Sequence, residues 1–260
     1  MKLSYTLHEK ESFFMWIKDI RDYILYEDRD ILVCHKPAGI AVQSARVGSM
    51  DMESMLKNYI AQKAPGRMPY LGIVHRLDQP VEGVLVFAKE KKSAAVLTKQ
   101  LSAGTLNKQY YAVLCGYPAV AEGELVDYLR KEGSVAVAVT GKEKNFPDAK
   151  IAKLHYSILE KINQPMPLAL ADVCIETGRF HQIRVQFAHA GWPLLGDTKY
   201  GNTTVAGTAG SPAYRGVALC AYSLDFTHPG NGNKMLFRVK PQNPAFEKFT
   251  KIPSNDISEG

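Results

Sequence analysis

The sequence has no long hydrophobic run. Its longest clean apolar stretch, Val84-Leu85-Val86-Phe87-Ala88, has the length of a strand, whereas a membrane span needs ~18 such residues. The N-terminus, Met1-Lys2-Leu3-Ser4-Tyr5-Thr6-Leu7-His8-Glu9-Lys10, holds no apolar segment of a secretory signal. Cysteine is scarce. Cys34, Cys115, Cys174 and Cys220 lie far apart, with no C-x-x-C pair, which counts against a zinc or redox site. Cys34, Cys115 and Cys174 fall in β-like apolar runs and are expected as small buried hydrophobes. A P-loop, an H-E-x-x-H pair and a G-x-G-x-x-G turn are all missing, so ATP, zinc and nicotinamide chemistry lose support. These absences together describe a reduced, cytoplasmic protein with no membrane partner.

What is present is an ordinary globular composition. The 260 residues are 46% hydrophobic and 22% charged, enough to bury a substantial core without crosslinks. The net charge is +6 and it is unevenly placed. Residues 1–30 carry five Lys or Arg against seven Asp or Glu, a balance of −2, which leaves +8 on residues 31–260. A basic body suggests a polyanionic partner, with RNA or DNA the first candidate.

Short strands dominate the pattern. Residues 31–34, 84–88, 110–115, 134–139, 154–159, 169–175, 217–226 and 235–239 read as strands by apolar run or alternation. Ser49 or Asp51 is placed to cap a helix with Met52, Met55, Leu56, Tyr59 and Ile60 on its apolar face. A second helix is expected over 92–101, with Gly104 past its end. Phe180, Ile183, Phe187 and Ala190 recur at helical spacing, with Gly191 at the C′ position. Residues 201–216 read as a surface loop, and His228-Pro229-Gly230-Asn231-Gly232 as a tight turn. Strands outnumber helices without regular alternation, which predicts an α+β fold with a mixed, largely antiparallel sheet and flanking helices. The expected organisation is an extension over 1–25, one domain over 26–250 and a flexible tail over 251–260. A monomer is expected.

Three segments could carry chemistry. In His75-Arg76-Leu77-Asp78, Asp78 precedes a buried strand, as either a nucleophile or general base, or a turn residue or cap. In Gly178-Arg179-Phe180-His181-Gln182-Ile183-Arg184, Arg179 and His181 sit at a helix start, where free N–H groups favour anions. Arg184 is either a solvated surface residue or an inward one that demands a carboxylate partner. On Lys108-Gln109-Tyr110-Tyr111 the two rings face opposite sides of a strand. Tyr110 is either plain packing or a ring offered to a base. His35, His155, His189 and His228 show no ligand spacing and read as structural or surface residues.

Together with Lys36-Pro37-Ala38-Gly39, Ala88-Lys89, Gly191-Trp192-Pro193-Leu194-Leu195-Gly196-Asp197 and Tyr200-Gly201, these segments resemble the RluA-type pseudouridine synthases. The likeness spans about residues 25–240 and keeps the family's order. It implies the pseudouridine synthase fold, an RNA substrate (ribosomal or transfer) and isomerisation of uridine without a cofactor or metal. It implies Asp78 as the catalytic aspartate, Arg184 as its basic partner and Tyr110 as the ring beneath the target uracil. Arg76 falls where the family displaces the target nucleotide, and His75, Arg179, His181 and Lys108 complete the expected RNA-contacting set. The sequence departs from the family at Val81-Glu82, where Thr-Ser is usual, and Glu82 is expected to point outward. Two other readings remain at this point. One is an RNA-directed glycosidase with Asp78 and Glu82 as its acid/base pair. The other is a non-catalytic RNA-binding or ribosome-assembly protein that keeps the fold.

Overall fold

In the segment Glu82–Ala88 every residue is buried, the mark of a strand covered on both faces. Val84, Val86 and Ala88 enter one apolar cluster, while Leu85 and Phe87 enter the other. The same two-residue period splits Tyr110, Ala112 and Leu114 from Tyr111, Val113 and Cys115. The structure, a computed structural model, describes residues 19–44, 49–63, 66, 69–163, 165–201, 216–253 and 257–259.

In chain order the strands are β1 (Ile24–Glu27), β2 (Ile31–Lys36), β3 (Gly72–Ile73), β4 (Glu82–Ala88), β5 (Asn107–Cys115), β6 (Glu122–Glu132), β7 (Val135–Val139), β8 (Lys150–Ile162), β9 (Leu168–Ile175), β10 (Leu219–Thr227), β11 (Lys234–Arg238) and β12 (Ile257–Glu259). The helices are α1 (Met52–Lys63), α2 (Lys91–Ser102) and α3 (Gln182–His189). One sheet runs in the order β1-β2-β4-β10-β5-β9-β8-β6-β7, with β3 on β4, β11 on β10 and β12 on β11. Among the described strands the sole parallel ladder is β4 with β10. The mixed, largely antiparallel α+β reading therefore holds.

Met52, Met55 and Leu56 of α1 and Ile183 and Phe187 of α3 join the cluster on one face. Leu97 of α2 and the C-terminal Ala245, Phe246 and Phe249 join the cluster on the other. Asp51, not Ser49, caps α1: its Oδ1 accepts the Ser54 N–H at 2.8 Å. Val185 of α3 packs with Leu129, Ala136 and Ala152, so this helix spans the seam between the central strands and the β6–β7 hairpin. The strand β6 escapes the sequence pattern because Glu122, Glu124, Lys131 and Glu132 interrupt any apolar run.

Several expectations change. The sheet begins at Ile24, which pairs with Cys34, so the described part of residues 1–25 belongs to the domain. Residues 1–18 and most of the expected 201–216 loop lie outside the described residues. Within the expected flexible tail, Ile257–Glu259 pairs with β11. Cys174 is exposed rather than buried, because its cross-strand neighbours Gln109 and His155 are polar. Phe180 stays outside the helix on whose apolar face it was placed, and is 38% exposed.

Glu82 is also not outward. It is 2% exposed, beneath the sheet, where it accepts the Gln242 N–H at 2.9 Å and the Asn243 N–H at 3.0 Å. The next residue, Gly83, has φ +136°, and a Cβ there would lie 2.5 Å from the backbone of Ala221. Only glycine lets β4 and β10 approach at this point. Replacing Glu82 by Ala orphans two N–H groups, at least one of them buried, and should cost roughly 2–4 kcal/mol. Urea unfolding measures this, and Glu82→Gln, which keeps an acceptor, should recover part of the loss.

Candidate active site

The loop from Val74 to Val81 enters β4 and carries Asp78. Its shape is fixed from below. The Asp78 carbonyl accepts the Val81 N–H at 3.1 Å, and the Gln79 carbonyl accepts the Gly39 N–H at 2.8 Å. Lys36 is fully buried, and its Nζ donates to the carbonyls of Pro37, Ile40 and Gln79 at 2.9, 2.7 and 3.2 Å. Three donors thus meet three carbonyls of two loops. Burial pulls the Lys36 ammonium down to about 7, against the opposing charge of Asp78.

The second half of the site is the turn before α3. His181 has φ 54°, the left-handed region, alone among the described non-glycine residues. Such a residue costs ~1–3 kcal/mol unless its surroundings hold it. The Gln182 amide does so. Its Oε1 accepts the Arg179 N–H at 3.0 Å and the Thr177 hydroxyl at 2.8 Å, while its Nε2 donates to the Lys153 carbonyl at 2.9 Å. One turn later Arg184 points inward, 4% exposed. Its Nε and Nη2 form a fork on Asp197 at 2.7 and 2.8 Å, and its Nη1 donates to Asp78 Oδ2 at 3.1 Å. Burial works against the Arg184 charge, but Asp197 and Asp78 outweigh it and hold the guanidinium above its usual range.

His181 extends this network. Its Nδ1 lies 2.6 Å from the Tyr200 hydroxyl and its Nε2 3.6 Å from Asp78 Oδ2. Burial brings the imidazole down to about 4, with Asp78 opposing, so it is neutral near pH 7. The Tyr200 oxygen already accepts the Ala136 N–H at 2.8 Å. The Tyr200 hydroxyl thus ties the His181 ring to β7, with Nε2 turned toward Asp78.

These groups meet in a cleft of about 740 Å³. Asp78, Tyr110 and Arg184 line it together, as do Arg76, Lys108, Arg179 and His181. Tyr110 is 5% exposed, and burial with the nearby Asp78 charge pushes its hydroxyl well up. Tyr111 turns to the far face, stacked on Tyr222 with centroids 3.7 Å apart. Arg76 is exposed at the rim. Arg179 is tied by Nε to the Ile151 carbonyl at 2.9 Å. His75 lines the cleft as well. It is 7% exposed, accepts the Val86 N–H at 3.4 Å, and burial lowers it to about 3. It is thus a neutral ring in the cleft wall, bonded to β4. Glu82 is absent from the cleft lining, so the acid/base pair of the glycosidase reading does not form.

Lys36, Asp197 and Tyr200 stood in quoted motifs, but sequence reasoning gave them no role. The demand of a buried arginine for carboxylates was the one signal that pointed to Asp197. Truncating Asp197 to Ala strands a buried guanidinium and should cost ~3–5 kcal/mol. Urea unfolding of Asp197→Ala and Asp197→Asn tests this, with the smaller loss expected for Asn.

The chain is similar to known proteins in sequence and in fold. Residues 30–189 match the family described as RNA pseudouridylate synthase. The chain is 33% identical over 245 residues to ribosomal large subunit pseudouridine synthase D of Nitrosomonas europaea, covering 90% of this chain and 67% of that one. It is 34% identical to the protein of the same name from Pseudomonas aeruginosa, covering 93% and 74%. The fold is similar to that of human RNA pseudouridylate synthase domain containing 4, with a TM-score of 0.69 at 21% identity over 90% of this chain and 94% of that one. The matched segment contains Asp78, Tyr110 and Arg184, the residues that converge at the cleft floor, and on these grounds the chain belongs to the RNA pseudouridylate synthase family.

Proposed function

We propose that this RNA pseudouridine synthase acts on ribosomal RNA of the large subunit, with Asp78 as its reacting carboxylate. One observation carries the site assignment. Asp78 sits at 24% side-chain exposure in an open cleft, held on one oxygen by the buried guanidinium of Arg184. A carboxylate placed so is accessible to a ligand, while its partner is locked by Asp197. The ribosomal substrate is supported by the names of the relatives at 33–34% identity. The chain works in the cytoplasm as a monomer.

The reaction breaks the N1–C1′ bond, turns the uracil and joins C5 to C1′. Asp78 supplies the carboxylate, which attacks the sugar or the base or takes a proton from a ribose carbon. Arg184 holds it in place through the 3.1 Å bond to Oδ2. The Tyr110 ring gives the freed uracil an apolar surface, and its raised hydroxyl keeps its proton. The target nucleotide must leave its stack, at a cost of a few kcal/mol. Arg76 at the rim and Lys108 inside the cleft meet the RNA, and phosphate contacts of the basic body offset that cost.

Asp78→Asn should abolish tritium release from labelled uridine RNA while circular dichroism stays unchanged; retained turnover would refute the assignment. Arg184→Lys cannot reproduce the shared fork, and misplacement of Asp78 should slow turnover by ~10²-fold. Mapping of pseudouridines in ribosomal RNA with and without the gene identifies the uridine. Product RNA of unchanged mass, with no uracil released, separates isomerisation from glycosidase action.

A further inference from the structure

We propose that a second cavity, beside the catalytic cleft, binds an unstacked nucleobase of the RNA next to the target uridine, with Phe180 as its stacking platform. This rests on the pseudouridine synthase reading above. The cavity holds about 560 Å³ between the β6–β7 hairpin and the turn before α3. It shares Gly178, Arg179 and Phe180 with the catalytic cleft, so a strand that places one nucleotide at Asp78 has its neighbour at hand.

The lining fits a nucleotide. Arg130, Lys131, Lys150 and Arg179 oppose the single carboxylate of Asp148. Arg130 is bonded to Glu132, the charges of Lys131, Lys150 and Arg179 suit phosphates, and Asp148 can accept from a base N–H. Arg179 is pre-set for this by its bond to the Ile151 carbonyl. Phe180 belongs to none of the apolar clusters, and the residue is 38% exposed. The ring stacks on His181 at 3.7 Å and carries the Lys131 ammonium over it at 4.9 Å. A base fits where the ammonium rests, and the lysine then turns to the phosphate. An exposed aromatic among cations is how single-stranded RNA is held without sequence readout. The left-handed backbone at His181 is what turns Phe180 outward, away from the apolar stripe of α3.

The test uses fluorescence anisotropy of fluorescein-labelled decauridylate with the full chain. Phe180→Ala and Phe180→Leu should each weaken binding by ~5- to 150-fold, the range of one lost base stack. Phe180→Tyr should bind within about twofold of the wild type, because it keeps the ring. Lys131→Gln should lower the salt slope of binding by about one. Leucine still packs on His181 but cannot stack a base, so it separates a structural role from this one. Equal binding by Phe180→Leu, or no binding by the wild-type chain, overturns the subsite. Pseudouridine formation is measured separately on transcribed large-subunit RNA. Failure of the catalytic reading shows there as absent product with the Phe180 pattern intact.

Discussion

The site depends on one buried positive charge. A guanidinium 4% exposed is tolerable only with its donors satisfied. Arg184 meets that demand with two carboxylates of different character. Asp197 is fully buried and takes the fork, while Asp78 is partly open and takes the remaining donor. Asp197 is thus the buried anchor, and Asp78 the carboxylate that still faces the cleft. The pairing separates rigidity from reactivity: the arginine cannot swing toward Asp78 or away from it without surrendering two bonds to Asp197.

Around that charge lie two supporting nets. Lys36 ties the Asp78 loop to the segment after β2 through carbonyls alone. Gln182 holds the strained turn before α3, and Tyr200 reaches from the far side of Arg184 to fix the ring of His181. None of these residues need touch a substrate. They place those that do within fractions of an ångström, which is the precision that a site on loops must import from elsewhere.

Much of this was legible in the sequence. Asp78, Tyr110 and Arg184 lie in motifs dense enough to name the family, and the unbroken apolar run of residues 84–88 announced a strand. What was hidden has physical causes. The charged strand β6 shows no apolar run because hydrogen bonding, not burial, defines it. Glu82 looked like a solvent residue because a carboxylate is rarely buried, and its acceptors are engaged by backbone N–H groups near the far end of the chain. Position along the chain cannot report a partner that distance in sequence conceals.

The parallel ladder between β4 and β10 has a consequence in time rather than space. Asp78 and Arg184 are separated by 106 residues, and Glu82 and Gln242 by 160. The strand that follows the Asp78 loop is therefore completed by residues synthesised long after it. Contacts of such separation form late and slowly. Asp78 therefore gains its anchored partner only when the chain carrying Arg184 and Asp197 has joined the sheet that positions it.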